Sequence, residues 1–401
     1  MSSSQKTVTT PRPGGGGRRG LSLFVFTLLA AEFLDEVVFG LREAAWPLIR
    51  DDLRLSYTQV GVILSVPPIV GHLVEPLLGV LGDVWRRRAL VLVGGVAFAA
   101  GTLLVGSSTS FALLLAASIL SNPASGAFIA LSQATLMDAA PERREQNMAR
   151  WALAGSVGNS VGPAAVGACV WAGVSWRWGF VAAGASMLLA VAAAWRQPFE
   201  TPSAPGVEPM RAALVEGLRG ALRALRRRAV LRWLVLLQLG DFTYDILRGF
   251  LALYFVDVLG AAPAEAATAV AAWTGVGLAG DAALVPLLER MRGLTYLRAS
   301  AAVMLALVAL FLLVPGFGAK VCVLAAMGFC NSGWYAILQA RLYDALSGRG
   351  GAAMAAGNLA GVASGLFPVV IGLIAERAGL GAALWLVALG PVALLAGIPK
   401  K

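Results

Sequence analysis

Charged side chains recur at helical spacing within two long apolar stretches of the chain. The first stretch carries Glu32, Asp35, Glu36, Arg42 and Glu43. The second carries Asp241, Tyr244, Asp245 and Arg248. Residues three and four apart lie on one face of a helix, so each set forms a stripe. Two carboxylates one turn apart, away from bulk water, cannot both ionise cheaply. The stripes therefore indicate groups that bind and release protons, with the arginines changing partners as protonation changes.

The helices that carry these stripes are predicted to span a membrane. Hydrophobic residues make up 58% of the chain and charged residues 13%, and the mean hydropathy is +0.76. Soluble domains carry about 25% charged residues. A charge at mid-bilayer costs roughly 2.5–3.5 kcal/mol, so we expect both stripes to line a cleft between helices. The simpler alternative is structural: Arg248 pairs with Asp245, and Arg42 with a neighbouring acid, to hold the helices together.

Twelve apolar runs have the length of about 20 residues that a membrane span requires. They cover residues 21–46, 57–81, 89–107, 110–137, 148–173, 176–195, 230–257, 264–288, 295–315, 319–345, 353–376 and 379–398. The sequence therefore predicts an all-α integral membrane protein with twelve transmembrane helices. Residues 1–20 are rich in Ser, Thr, Pro, Gly and Arg, and we expect a disordered cytoplasmic tail rather than a cleavable signal.

The rare polar residues repeat at a spacing of 206 positions, which indicates a duplicated unit. The matching pairs are Asp35/Asp241, Arg42/Arg248, Asp51/Asp257, Glu75/Asp281, Asp83/Glu289, Gln133/Gln339 and Asp138/Asp344. We predict two pseudo-symmetric six-helix halves at 21–195 and 230–398. The linker at 196–229 is either an amphipathic helix on the cytoplasmic leaflet or a solvated basic segment.

The net charge of +10 follows the predicted topology. With twelve spans the basic clusters all fall on one side of the membrane, which the positive-inside rule makes cytoplasmic. We expect both termini on that side of a bacterial inner membrane, with lipid contacts and no nucleic acid partner. The three cysteines lack the spacing of a metal site, so no metal is expected.

Two motifs resemble a known transporter family. Residues 79–88 read GVLGDVWRRR, and Gly79, Gly82, Asp83, Arg87 and Arg88 match the signature of the major facilitator superfamily, from which Val84 and Arg86 depart. The fifth span, with Gly155, Gly158, Gly162, Pro163 and Gly167, is similar to the glycine–proline motif of drug:proton antiporters in that superfamily, although Ala165 and Val166 interrupt it. The resemblance implies the major facilitator fold.

The resemblance and the charged stripes together predict a secondary active transporter that works by alternating access. We expect proton-coupled export of a small organic molecule, driven by the proton gradient without a cofactor, and function as a monomer. Uptake of a nutrient and flipping of a lipid are alternatives. A membrane-embedded transferase or a receptor is the alternative from another class, but no catalytic motif is apparent and we do not expect an enzyme.

The predicted functional residues fall into three sets. The proton and substrate cleft comprises Glu32, Asp35, Glu36, Arg42, His72, Glu75, Asp241, Tyr244, Asp245, Arg248, Trp273, Asp281, Asn331 and Tyr335. The conformational latch comprises Gly79, Asp83, Arg87, Arg88, Asp138 and Arg144. The helix-packing set comprises Gly158, Gly162, Pro163 and Gly167, where small residues let helices approach closely. His72 fits a proton relay or a polar group satisfied between helices.

Overall fold

The helices form a single bundle whose elements follow the apolar runs of the sequence. The computed structural model describes residues 23–84, 87–139, 143–197, 219–220, 222–346 and 350–399, and these ranges contain no strand. The first six helices are α1 (Leu23–Leu53), α2 (Tyr57–Val84), α3 (Arg87–Gly106), α4 (Phe111–Ala139), α5 (Arg144–Trp171) and α6 (Arg177–Trp195). The next three are α7 (Arg228–Leu253), which a π-helical turn extends over Tyr254–Val258, α8 (Pro263–Arg290) and α9 (Gly293–Leu313).

The last three spans are interrupted helices. The tenth consists of α10 (Phe317–Asn331) and α11 (Trp334–Ala345), and the eleventh of α12 (Gly350–Ser364) and α13 (Phe367–Ala378). The twelfth consists of α14 (Leu380–Ala383), a 3-10 segment (Leu384–Ala388) and α15 (Leu389–Gly397). In the tenth span Gly333 has φ 76°, a left-handed conformation that glycine adopts without steric cost and that ends the regular helix.

The twelve predicted spans are all helical, which confirms the all-α membrane fold. Within the described ranges, ten helical runs are long and apolar enough to cross a membrane. The other two spans are α1, with 31 residues, and α7, with 26, and they carry the charged stripes. Helix α1 continues past its predicted end at residue 46, because Trp46 and Ile49 are buried against the core. The predicted tail 1–20 and most of the predicted linker lie outside the described residues, so the domain boundaries stay a prediction.

Helices α1 and α5 approach each other more closely than side chains would allow. A Cβ atom added to Gly158 would lie 2.3 Å from the backbone oxygen of Phe33, and one on Gly162 would lie 2.5 Å from the backbone nitrogen of Leu41. Pro163 lies in the same region of contact, opposite Gly40. Gly167 differs from its predicted packing role, because a Cβ there would meet only Ala267, at an ordinary 4.0 Å.

The N-terminal six helices meet the C-terminal spans along three lines. Helix α1 packs on α7, α2 packs on α12 and α13, and α5 packs on α8. The α2–α13 contact is also tight, since a Cβ on Gly61 would lie 2.6 Å from the backbone oxygen of Pro368, and the hydroxyl of Ser65 accepts a 3.0 Å hydrogen bond from the backbone N–H of Val369. These contacts leave a polar space between the two groups of helices.

The close approach of α1 and α5 makes a testable prediction about stability. We expect Gly158→Ala to destabilise the protein by about 1–3 kcal/mol, because the added methyl group has no room beside Phe33. The measurement is thermal unfolding of the purified protein in detergent. Gly167→Ala in the same helix is the matched control and should not lower the melting temperature, because the added methyl group has room and alanine favours the helix. Equal effects of the two substitutions would contradict this account of the contact.

Candidate functional site

A polar cavity of about 1010 Å³ lies between the N-terminal helices and the C-terminal spans. It extends toward the end of the bundle where α2 and α4 end and α7 begins, which we call the basic end. Six carboxylates line it: Glu32, Asp35, Glu36, Glu75, Asp241 and Asp245. His72, Tyr244 and Tyr335 also contribute to its wall. The structure therefore brings most of the predicted cleft residues together around one cavity, which we call the central cavity.

The acids of α1 differ in how they are held. Asp35 is 5% exposed and accepts a 2.6 Å hydrogen bond from the hydroxyl of Ser125 on α4. Glu36 accepts a 2.9 Å hydrogen bond from the Nδ2 group of Asn159 on α5. Because α1 packs tightly on α5, Asn159, which lies between Gly158 and Gly162, contacts the charged stripe of α1. Asp35 and Glu36 are thus anchored by neutral donors from neighbouring helices.

Arg248 of α7 reaches across the cavity wall to α1. Its Nε donates a hydrogen bond to Glu43, and its Nη2 lies 4.0 Å from Glu36. The guanidinium also lies over the ring of Tyr244, 5.2 Å from its centroid. The structural alternative, in which Arg248 pairs with Asp245, does not describe the main contact, because the crossing of α1 and α7 brings Glu43 closer. Arg42 lies over the ring of Phe39 at 4.9 Å.

Glu32 and Asp241 in the central cavity have no such support. The described residues donate no hydrogen bond to Glu32 or Asp241. The charges that act on Glu32 belong to Asp35 and Glu36, and the charge that acts on Asp241 belongs to Asp245. Glu32 is 9% exposed. Such groups are expensive as anions in a low-dielectric site and become cheaper when they bind a proton or a cation.

A side lobe of about 420 Å³ opens from the central cavity between α8 and the break in the tenth span. Glu32, Asp241 and Tyr335 line both spaces, so the two are continuous. The lobe is also lined by Trp273, whose ring lies 5.1 Å from that of Tyr244, and by three polar residues, Thr274, Asp281 and Asn331. Of the remaining predicted cleft residues, Arg248, Trp273, Asp281 and Asn331 line this lobe, whereas Arg42 does not.

His72 lies on the far side of the central cavity and joins α2 to α12. Its Nδ1 is 3.3 Å from the Oδ1 of Asn358, and its ring packs against Gly361. It also lines a smaller cavity of about 230 Å³ together with Arg42 and Asp245. The histidine is therefore a polar contact between the N-terminal helices and the eleventh span, and a relay role for it stays a prediction.

The predicted latch residues lie at the basic end. The Nη1 group of Arg87 is 2.7 Å from the carboxylate of Asp138, and Arg144 lies 3.9 Å from the same carboxylate. Arg88 donates a hydrogen bond to the backbone oxygen of Trp195. These contacts join α3 to α4 and α6, and α5 to α4, so they connect helices of the first half rather than the two halves. The side chain of Asp83 and the surroundings of Gly79 lie outside what the structure describes.

A second polar cluster, which sequence reasoning missed, ties the opposite end of the bundle. The Nη1 group of Arg50 lies 2.8 Å from the carboxylate of Asp257, to which the hydroxyl of Tyr57 also donates at 2.8 Å. The backbone N–H of Tyr57 donates to Glu376 at 2.8 Å. We call these four residues the opposite-end cluster. The 206-residue register singled out Asp257 by matching it with Asp51, but it did not predict the contact of Asp257 with Arg50.

The fold and the site together define a class of protein, a polytopic membrane protein with a charged cleft between two groups of helices. Residues 28–368 match the profile of the Major Facilitator Superfamily, so the chain belongs to that superfamily. Membership supports secondary transport across a membrane, and the relatives are themselves named as transporters. The chain is 30% identical over 165 residues to the MFS-type transporter TwmF of Talaromyces wortmannii. It is 26% identical over 135 residues to the uncharacterized MFS-type transporter YtbD of Bacillus subtilis.

These alignments are partial. They cover 40% and 34% of this chain, and 28% and 34% of the two relatives, so the chain matches about a third of their length. Solved structures match much more completely. The nucleoside transporter NupG has a TM-score of 0.75 at 14% identity, over 95% of this chain and all of that one. A bacterial homologue of the lysosomal transporter Spinster, in an inward-facing and occupied conformation, has a TM-score of 0.68 at 15% identity, over 94% and 93% of the chains. These likenesses establish the fold.

The Arg248 contact predicts a large effect on stability. We expect Arg248→Met to destabilise the protein by about 3–5 kcal/mol, because it leaves the buried Glu43 and the half-buried Glu36 without their cation. Adding Glu43→Gln should restore part of the loss. Unfolding in detergent, measured as a double-mutant cycle, gives the coupling.

The matched control is the exposed pair of Arg341 and Asp344, which are 3.9 Å apart. Arg341→Met should cost no more than about 1 kcal/mol, because a surface pair contributes little. A coupling energy for Arg248 and Glu43 no larger than that of the surface pair would show that the buried contact does not stabilise the bundle.

Proposed function

We propose that this protein is a proton-coupled antiporter that exports a small organic molecule. The observation that carries the proposal is the pair of unsupported carboxylates, Glu32 on α1 and Asp241 on α7, at the walls of the same cavity. Each lacks a donor among the described residues, whereas Asp35 and Glu36 have one. A carboxylate of this kind binds a proton or the substrate, and the competition between them couples the two movements in opposite directions.

Alternating access requires contacts that hold one end of the cleft shut and then break. The opposite-end cluster supports this, because Arg50 and Tyr57 belong to the first six helices and Asp257 and Glu376 to the last six. The central cavity extends instead toward the basic end. With that end cytoplasmic, as the distribution of Arg and Lys indicates, the conformation is inward-facing and ready to load substrate from the cytoplasm.

Proton coupling is tested by flux into and out of proteoliposomes under an imposed pH gradient. Glu32→Gln and Asp241→Asn remove the exchangeable protons without changing the side-chain size. We expect each substitution to reduce gradient-driven flux at least tenfold, because the neutral group no longer exchanges a proton for substrate. A panel of small organic molecules, scored first for native flux, supplies the substrate.

Asp344→Asn is the matched control, since Asp344 is exposed and lies outside the cavities described here. It should leave flux unchanged. Undiminished gradient-driven flux in both cavity variants would refute proton coupling at this site. If Asp344→Asn reduces flux as much as the cavity variants do, the loss of flux is not specific to the cavity carboxylates.

The opposite-end cluster is tested by accessibility. In a chain whose three cysteines are replaced by serine, Leu64→Cys places a thiol in the small cavity beside Gly249. We expect Asp257→Asn to raise the rate at which a membrane-impermeant maleimide labels this thiol from outside by several-fold, because the closed end loses its ion pair.

The control for this experiment is Asp52→Asn. Asp52 lies near the same end and pairs with Arg177 at 2.8 Å, but both residues belong to the first six helices. Its substitution should not change labelling. If the thiol at position 64 is labelled at the same rate with and without Asp257→Asn, the opposite-end cluster does not hold the outward end shut.

A further inference from the structure

We infer that the side lobe at the break in the tenth span is a subsite for a protonated amine of the transported molecule. This deepens the proposed function and rests on it, since it assumes that a transported molecule enters the cleft. The lobe is part of the same continuous space as Glu32 and Asp241. Its wall is formed mainly by α8 and the residues around Gly333, so it belongs to the C-terminal spans.

Two hydroxyl groups of the lobe have already used their protons. The hydroxyl of Thr274 donates to the backbone oxygen of Val270 at 3.1 Å, and that of Ser332 donates to the backbone oxygen of Gly277 at 3.1 Å. The amide oxygen of Asn331 is buried and has no donor among the described residues. A buried acceptor without a donor is costly, and a ligand that brings N–H groups removes that cost.

Asp281 supplies the charge that distinguishes an amine from a neutral donor. Its carboxylate lies beside Ser332 and the backbone N–H of Gly333, the glycine that interrupts the helix. The hydroxyl of Ser332 donates to Gly277, and a carboxylate has about four acceptor positions, so Asp281 keeps acceptor positions for a ligand. No cation among the described residues pairs with Asp281.

The rest of the lobe fits the organic part of such a ligand. The ring of Trp273 is 2% exposed and packs at 5.1 Å on the ring of Tyr244, which gives a rigid aromatic wall beside the acceptors. Aromatic faces also attract ammonium groups. The guanidinium that lines the lobe, that of Arg248, lies between Glu43 and Glu36 on α1, and its Nη2 group donates no hydrogen bond to the described residues. An organic anion in the lobe would face Asp281 and Asp241, beside a guanidinium whose charge two carboxylates already offset.

The experiment measures binding to the purified protein in lipid nanodiscs, without any gradient, using three probes of similar shape. These are phenethylamine, its trimethylammonium analogue and 3-phenylpropanoate. We expect the amine to bind and to quench tryptophan fluorescence, the quaternary analogue to bind about tenfold more weakly because it has no N–H donors, and the anion not to bind.

Two variants assign the binding to the lobe. Asp281→Asn should weaken binding of the amine about tenfold or more, and Asn331→Asp should strengthen it several-fold, because a second carboxylate then faces the ammonium. The gain in the second variant is a result that misfolding does not produce. Asp344→Asn, outside the cavity, should bind the amine as the native protein does.

The inference is overturned if the anion or the quaternary analogue binds as tightly as the amine. It is also overturned if the amine does not bind at all, or if both lobe variants bind it with the native affinity. Because no proton gradient is present, the two proposals fail separately. Intact proton-driven flux without amine binding removes the subsite alone, whereas amine binding with no coupled flux removes the antiport function alone.

Discussion

A guanidinium buried between two groups of helices must keep anionic partners, and the rest of the site depends on how this protein meets that demand. Arg248 on α7 pairs with Glu43 and Glu36 on α1. The cost of desolvating the arginine is thereby offset, and the two groups of helices are joined at mid-cleft. With the strongest cation engaged there, Glu32 and Asp241 are left in the same cavity without compensation.

Close packing then decides where the acids point. Helix α1 is held against α5 over the stretch that includes Gly158 and Gly162, where backbones touch and side chains are excluded. Such a contact fixes the rotation of α1 about its own axis, so the stripe faces the cavity and Asn159 meets Glu36. The interrupted tenth span is the contrasting element. There the glycine conformation at Gly333 replaces regular helix with a short irregular segment that lines a polar lobe, as irregular backbone at membrane depth must.

Much of this arrangement was predictable from residue spacing. The apolar runs placed twelve helices, the 206-residue register paired the two halves, and the three-and-four spacing selected Glu32 and Asp241 as residues of one cleft. The partners were not predictable. The sequence offered Asp245 as an alternative partner for Arg248, and it did not single out Asn159 or the opposite-end cluster. The choice of partner depends on the angle at which two helices cross, and residue spacing along one helix does not give that angle. The latch residues show the same limit, since those described here join helices of the first half.

The duplication has a consequence at the contact of α1 and α7. Two of the ion pairs that cross it, Arg248 with Glu43 and Arg50 with Asp257, join residues 205 and 207 positions apart, one on each side of the 206-residue register. A residue near a two-fold axis lies beside its own counterpart, and Arg248 and Asp257 have counterparts of like charge, Arg42 and Asp51, which repel them. Each of the two therefore pairs with the residue next to its counterpart. The counterparts of Glu43 and Arg50 are Gly249 and Val256, which cannot form the reciprocal pairs. An assembly of two first halves would form each ion pair twice, and an assembly of two second halves would form neither. At this axis the second half therefore depends on the first for its charge balance.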